Sequence, residues 1–212
     1  MSTTLDAAPA GFSTLLRERT ATDHGDAEHS TVMTALVEGT LDQALFGELL
    51  AQHLLVYRAL EAAGEALADD PVVRPFLVPG LERTAILEDD VRTVLGDAAV
   101  EDIVARPGTA AYVARLEEVA DWPGGFIAHH YTRYMGDLSG GQFIGRVVAR
   151  TYTDLPIGFY TFAEIDSPKA FKYRYRELLD AAPWSSEEQE RIISEVHTAY
   201  ELNQRMFADL EG

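Results

Sequence analysis

Apolar side chains recur at three- and four-residue steps through Leu41, Ala44, Leu45, Leu49, Leu54, Tyr57, Leu60 and Leu67, with His53 and Gly64 in the same stripe. That spacing predicts one long amphipathic helix. Thr40 and Gln43 stand at capping-box distance at its start. The same periodicity runs through residues 13–28, 80–95, 108–120, 126–151, 168–180 and 186–209, and no segment alternates as a strand does. Prolines fall mostly between these stretches: Pro71, Pro75 and Pro79 in one loop, and Pro107, Pro123, Pro156, Pro168 and Pro183 at other joints. Ser167-Pro168 reads as an N-cap with proline at the first helical position, and Ser185 with Glu188 as a second capping box. With no internal repeat, low-complexity tract or separating linker, the expectation is an all-α, single-domain compact helical bundle over residues 13–210, preceded by a flexible N-terminus at 1–12.

Composition narrows the chemistry. At 212 residues and 47% apolar content the chain can bury one continuous core. It has no cysteine, which removes disulfides, thiolate nucleophiles, iron–sulfur ligation and cysteine-type zinc sites. Met1 to Gly11 lacks the basic start and apolar run of a signal peptide, and no stretch approaches the roughly 20 apolar residues of a membrane span. A cytoplasmic protein without a membrane anchor is expected. The formal net charge of −18 argues against nucleic acid as a partner. Residues 131–176 nevertheless carry seven Lys/Arg against four Asp/Glu, a local +3 that leaves −21 on the remainder. Such an island suits an anionic ligand or an acidic partner, although a merely solvated helix face has the same composition.

The sharpest local anomaly lies inside that island. The run Tyr131-Thr132-Arg133-Tyr134-Met135-Gly136-Asp137-Leu138-Ser139-Gly140-Gly141-Gln142 places three glycines within a helical pattern, each costing roughly 0.5–1 kcal/mol relative to alanine. Gly136 and Gly140 are four apart and share a face, where missing side chains let the backbone lie against a flat object and let the helix bend. Taken alone, the same spacing also marks a close helix–helix crossing. Leu138-Ser139-Gly140-Gly141-Gln142 matches the signature loop of ATP-binding-cassette ATPases, but those need a Gly-Lys phosphate loop and the chain has no Gly-Lys pair.

Metal ligation must come from His, Glu, Asp or Tyr. Among the six histidines, His24 has Glu28 four residues on, where a carboxylate could orient a ligating imidazole. This spacing is common on surface helices and carries little alone. His129 and His130 point about 100° apart on a helix and cannot jointly serve one site. His53 sits in an apolar stripe and reads as a hydrogen-bonded core residue. A di-iron carboxylate site wants Glu-x-x-His pairs, which are absent.

Together these segments resemble the haem oxygenase family, especially the soluble bacterial enzymes, from about Leu15 to Leu210. His24-Gly25-Asp26-Ala27-Glu28-His29-Ser30 resembles the proximal segment, Tyr131–Gln142 the distal helix, and Phe171-Lys172-Tyr173-Arg174-Tyr175-Arg176 the propionate-binding segment. The resemblance implies haem between a proximal N-terminal helix and a bent, glycine-containing distal helix. It implies His24 as axial ligand oriented by Glu28, and Arg17, Lys172, Arg176 and Tyr131 around the propionates. Arg17 stands where the family usually has Lys, which keeps the charge but changes the geometry. Ser139 joins the cofactor-binding set, and Phe207 lines the pocket.

The activity implied is haem degradation with O2 and reducing electrons to biliverdin, the α-isomer favoured, with CO and ferrous iron, for iron acquisition or haem turnover. Gly136 and Gly140 would press oxygen toward the ring edge, and Asp137 would anchor a proton-delivering water supported by Tyr57 and Arg133. Lys169 and Arg174 could face an acidic electron donor such as a ferredoxin or flavodoxin served by an NAD(P)H reductase. A haem-storage protein is the alternative, but storage does not need the proton-delivery network implied by Asp137. A thiaminase-like relative on the same scaffold would need a cysteine nucleophile.

Overall fold

The computed structural model describes residues 11–22 and 30–211, and among these the regular structure is helical throughout. The order is α1 (Phe12–Arg19), α2 (Thr31–Glu38), α3 (Gln43–Ala66), α4 (Thr84–Leu95), α5 (Pro107–Glu118), α6 (Pro123–His130), α7 (Gln142–Thr151), α8 (Pro168–Ala181) and α9 (Ser186–Ala208). Short 3-10 turns lie at Arg74–Phe76 and Asp97–Val100. Two π-helical segments, Tyr131–Met135 and Asp137–Gly141, join α6 to α7.

α3 is the axis of the bundle. The expected single stripe of Leu49, His53, Leu54, Tyr57, Leu60 and Gly64 is buried, but so are Phe46, Leu50, Gln52 and Val56 from other faces. A helix buried on several sides must be surrounded, and α3 packs against α4, α5 and α6. α9 closes the other side against α5 and α6, while α1 rests on α8 and α9.

The helix starts follow side-chain chemistry. Ser167 accepts from the Ala170 N–H with Pro168 at the first position, as the sequence predicts. Ser185 accepts from the Glu188 N–H at 3.1 Å. The second half of that capping box is replaced: the Glu188 carboxylate takes the Trp122 indole N–H at 2.5 Å and pairs with Arg191 at 2.7 Å. α3 departs from expectation, because Asp42 rather than Thr40 accepts the Ala44 N–H, at 2.8 Å. Asp is the stronger cap and stands next to the helix, leaving the Thr40 hydroxyl to donate to the Ala35 carbonyl.

α2 lies outside the helical stretches expected from periodicity, yet its signals are clear in retrospect. Ser30 caps it by accepting from the Met33 N–H, and Gly39 ends it at φ +75°, a left-handed conformation favoured by glycine. A Cβ on Gly39 would also lie 2.4 Å from the Thr151 methyl carbon. That contact joins the end of α2 to the end of α7.

His53, His129 and His130 are 4%, 0% and 2% exposed. Burial pushes all three below the ordinary imidazole range, His130 to about 3. His129 stays neutral although its Nε2 lies 2.9 Å from Glu195, which Arg115 already neutralises through two hydrogen bonds. The folded state therefore refuses protons that the unfolded chain accepts below about pH 6.5. Stability should be fully present above that pH and fall as pH drops, with a slope approaching about 4 kcal/mol per pH unit if all three titrate only on unfolding. Urea unfolding between pH 7 and 4 measures this slope; a flat profile would show that these imidazoles take protons without unfolding.

Candidate functional site

A cleft of about 400 Å³ opens between α2, the π-helical segments and α9. Met33 and Val37 of α2 form one lip, with Phe143 and Ile144 of α7 near them. Thr132, Arg133, Gly136, Asp137, Gly140 and Gly141 form the glycine-rich wall, and Tyr200, Asn203 and Phe207 come from α9. Phe159 and Tyr160, from a turn after α7, and His53 of α3 complete the lining. Two buried charges of α4 and its approach pin that turn: Asp90 accepts the Phe159 N–H at 2.6 Å, and Arg83 donates to the Thr161 carbonyl at 2.8 Å and lies 4.0 Å over the Phe162 ring.

The glycine run is π-helical on both sides of Gly136. π turns are rare and widen a helix locally, which resolves the cost seen in the sequence. A Cβ on Gly136 would meet no atom within 4 Å. The helix–helix crossing that this spacing also marks would bring a neighbour against that position, so the bare backbone of Gly136 faces the cleft instead.

The polar side chains of the lining form a connected network with Tyr57 behind them. The Tyr57 hydroxyl donates to Asp137 Oδ2. Arg133 donates to Asn203 Oδ1 and, at 2.9 Å, to His53 Nδ1, while its guanidinium carbon sits 5.0 Å from the Tyr57 ring centre. His53 stacks on Phe159 with ring centres 5.0 Å apart and meets Phe207 edge-on. Burial raises the Asp137 carboxyl above the usual range, partly opposed by Arg133 and the Tyr57 bond. Burial also holds the Tyr57 phenol well up. The wall thus offers an uncharged imidazole, one cation and one carboxyl that accepts a proton more readily than a free aspartate.

Of the residues singled out from sequence, Arg133, Gly136, Asp137, Gly140 and Phe207 line the cleft, and Tyr57 stands one layer behind it through its bond to Asp137. Arg17, Tyr131, Ser139, Lys172 and Arg176 do not line this cavity. They are nonetheless neighbours of it: Lys172 Nζ donates to Ser139 Oγ at 3.1 Å, and both Arg176 and Arg17 act on the half-buried Tyr131 phenol, whose burial raises it. His24 and Glu28 lie outside the described residues. Sequence reasoning assigned His53 only to the core and did not single out Asn203. His53 lies four residues before Tyr57 on α3, and Asn203 four before Phe207 on α9, so the helical step from an expected site residue points to each.

A family model for heme oxygenase matches residues 10–209. The chain belongs to the haem oxygenase family. Heme oxygenase 1 of Nostoc sp. is 36% identical over 202 residues, covering 93% of this chain and 84% of that one. The crystal structure of heme oxygenase-1 from the cyanobacterium Synechocystis, in complex with heme, superposes with a TM-score of 0.90 at 32% identity, covering 96% of this chain and 93% of that one. The heme oxygenase of Leptospira interrogans superposes at 0.88 and 32% identity, covering 94% and 99%.

Within this haem oxygenase fold the glycine wall yields a direct test. Gly136→Ala removes a helix-interior glycine and meets no protein atom, so the variant should gain about 0.5–1 kcal/mol in stability. Its new methyl group enters the cleft. Thermal unfolding should therefore improve while haem affinity, measured by Soret titration, declines. A variant that unfolds earlier would mean that position 136 is packed after all.

Proposed function

We propose that this chain opens the haem ring, using O2 and reducing electrons to release biliverdin, CO and ferrous iron. The observation that carries the reading is the cleft wall at Gly136 and Asp137: backbone bare toward the ligand space, beside a carboxyl bonded to Tyr57. Haem in such a site is substrate and prosthetic group together, supplying the iron at which O2 binds. The residues fit it: a largely apolar cleft accepts the porphyrin, and the basic cluster outside the cavity accepts its carboxylates.

In this reading His24 is the axial ligand and Glu28 orients its ring. Arg17, Tyr131, Lys172 and Arg176 hold the propionates, with Ser139 steadying Lys172 and Phe207 walling the cleft. Gly136 and Gly140 set how closely backbone approaches the ring face. With Oδ2 of Asp137 taken by Tyr57, Oδ1 is left to hold a water, and the raised affinity of the carboxyl for a proton suits it to pass one toward O2. Arg133 keeps the network charge-balanced. The propionate anchors select the edge presented to oxygen, and the α-isomer is the expected product.

No described helix is long and apolar enough to cross a membrane, and a cytoplasmic site of action serving iron acquisition or haem turnover fits that. Residues 13–210 would act as one haem-binding unit, with 1–12 outside it. Exposed Lys169 and Arg174 give an acidic electron donor, a ferredoxin or flavodoxin fed by an NAD(P)H reductase, a surface to approach.

Purified protein given haem, then a reductant in air, should lose its Soret band as biliverdin absorbance grows. A Soret band that persists would make the chain a haem carrier instead. His24→Ala should lose the five-coordinate histidine spectrum of the haem complex; an unchanged spectrum would move the ligand elsewhere.

A further inference from the structure

Nine tyrosines are unevenly placed in this chain, and a set of them forms a file leading away from the cleft. Tyr57 stands directly behind the wall, in edge contact with the cleft-lining Phe159 at 5.6 Å between ring centres. Tyr134 is next, 5.6 Å from Tyr57. His130 follows at 4.5 Å, and Tyr175 lies 5.6 Å beyond it with the two rings nearly parallel at 16°. Tyr175 in turn lines a surface groove of about 300 Å³ together with Phe76 and Phe171.

Ring contacts alone would describe ordinary aromatic packing. The hydroxyls distinguish this file. Tyr57 donates to Asp137 Oδ2, Tyr134 donates to Glu61 Oε1 at 3.3 Å, and the Tyr175 hydroxyl shares a 2.9 Å hydrogen bond with His130 Nδ1, in which the phenol donates when the neutral ring carries its proton on Nε2. Every tyrosine in the file therefore has a proton acceptor of its own. Buried Tyr112, by contrast, has a hydroxyl without a protein partner. The difference matters because a buried phenol gives up an electron readily only when its proton leaves at the same time. Burial holds the Tyr57, Tyr134 and Tyr175 phenols well above their ordinary range, so none is ionised beforehand.

Resting on the haem-degrading reading, we propose that Tyr57, Tyr134 and Tyr175 form a relay that carries oxidising equivalents from the cleft to the groove beside Tyr175, protecting the site when oxygen chemistry misfires. The oxidant is haem oxidised by hydrogen peroxide. It is reduced by one electron from Tyr57, whose phenolic proton passes to Asp137. The Tyr57 phenoxyl then takes an electron from Tyr134 and recovers its proton from Asp137, while the Tyr134 proton goes to Glu61. Tyr175 next supplies an electron to Tyr134, which recovers its proton from Glu61, and the Tyr175 proton moves to His130 Nδ1. A phenol that has lost an electron is acidic enough to protonate even this imidazole, which burial lowers to about 3. A small one-electron donor of the enediol or thiol class, reaching the groove, reduces Tyr175 as His130 returns the proton.

The test uses the full chain loaded with haem, treated with one equivalent of hydrogen peroxide, freeze-quenched and read by electron paramagnetic resonance, with haem bleaching followed in parallel. The wild type should give a long-lived tyrosyl signal that ascorbate removes. Tyr175→Phe should lose that long-lived signal and bleach its haem several-fold faster, and Tyr134→Phe should do the same from one step earlier. Tyr112→Phe should match the wild type in both readouts. Biliverdin formation with reductant and O2 should persist in Tyr175→Phe, which separates the relay from the main reaction. If Tyr134→Phe and Tyr175→Phe bind haem, form biliverdin and keep the wild-type signal and bleaching rate, the relay is overturned while the haem-degrading reading stands. A wild type that binds no haem overturns both.

Discussion

The hydrogen bond from Tyr57 to Asp137 is the contact on which the site depends. It joins the central helix α3 to the glycine wall, and it satisfies a carboxyl that would otherwise be left unpaired in a largely apolar cleft. An uncompensated buried charge costs several kcal/mol, so the wall can keep Asp137 only if its partners are equally fixed. Arg133 supplies the opposing charge. It is held in turn by His53 from α3 and Asn203 from α9. Tyr57 of α3 thus bonds the carboxyl directly, while His53 of α3 and Asn203 of α9 fix the nearby Arg133 charge.

The glycines answer a different requirement. A regular helix with full side chains would carry a Cβ at position 136 into the space that the cleft leaves open. Glycine there, with π-helical turns on either side, brings bare backbone to the ligand face while Tyr134 remains buried behind it. The adjoining part of the lining is built by other means. Phe159 and Tyr160 lie on a turn without helical structure, and Asp90 and Arg83 hold it from outside the cleft. One part is shaped by what its sequence omits, the other by buried ion-to-backbone bonds.

The helices were largely legible because their stripes and stops are local. Ser167 before Pro168 and Ser185 before Glu188 mark helix starts that the structure contains. Asp42 took the capping place expected of Thr40 because both types can cap and periodicity does not resolve two residues. α2 went unread because eight residues barely complete two turns, too few for a periodic stripe. At the site, the glycines stood out as costly exceptions to a helical pattern, and Asp137 drew notice as the carboxylate carried among them. His53 was legible as buried but not as a cleft residue, since burial and lining look alike from periodicity. The network of Arg133, His53 and Asn203 depends on contacts between distant segments, which no local spacing encodes.

The central claim is that Asp137 directs oxygen chemistry rather than haem binding, and single turnover of Asp137→Ala measures it most directly. Haem-loaded variant, reduced in air, should retain its Soret complex while biliverdin yield falls and peroxidase-like oxidation of an added phenol appears. Biliverdin formed at the wild-type yield would contradict the account, because the carboxyl held by Tyr57 would then have no part in the reaction.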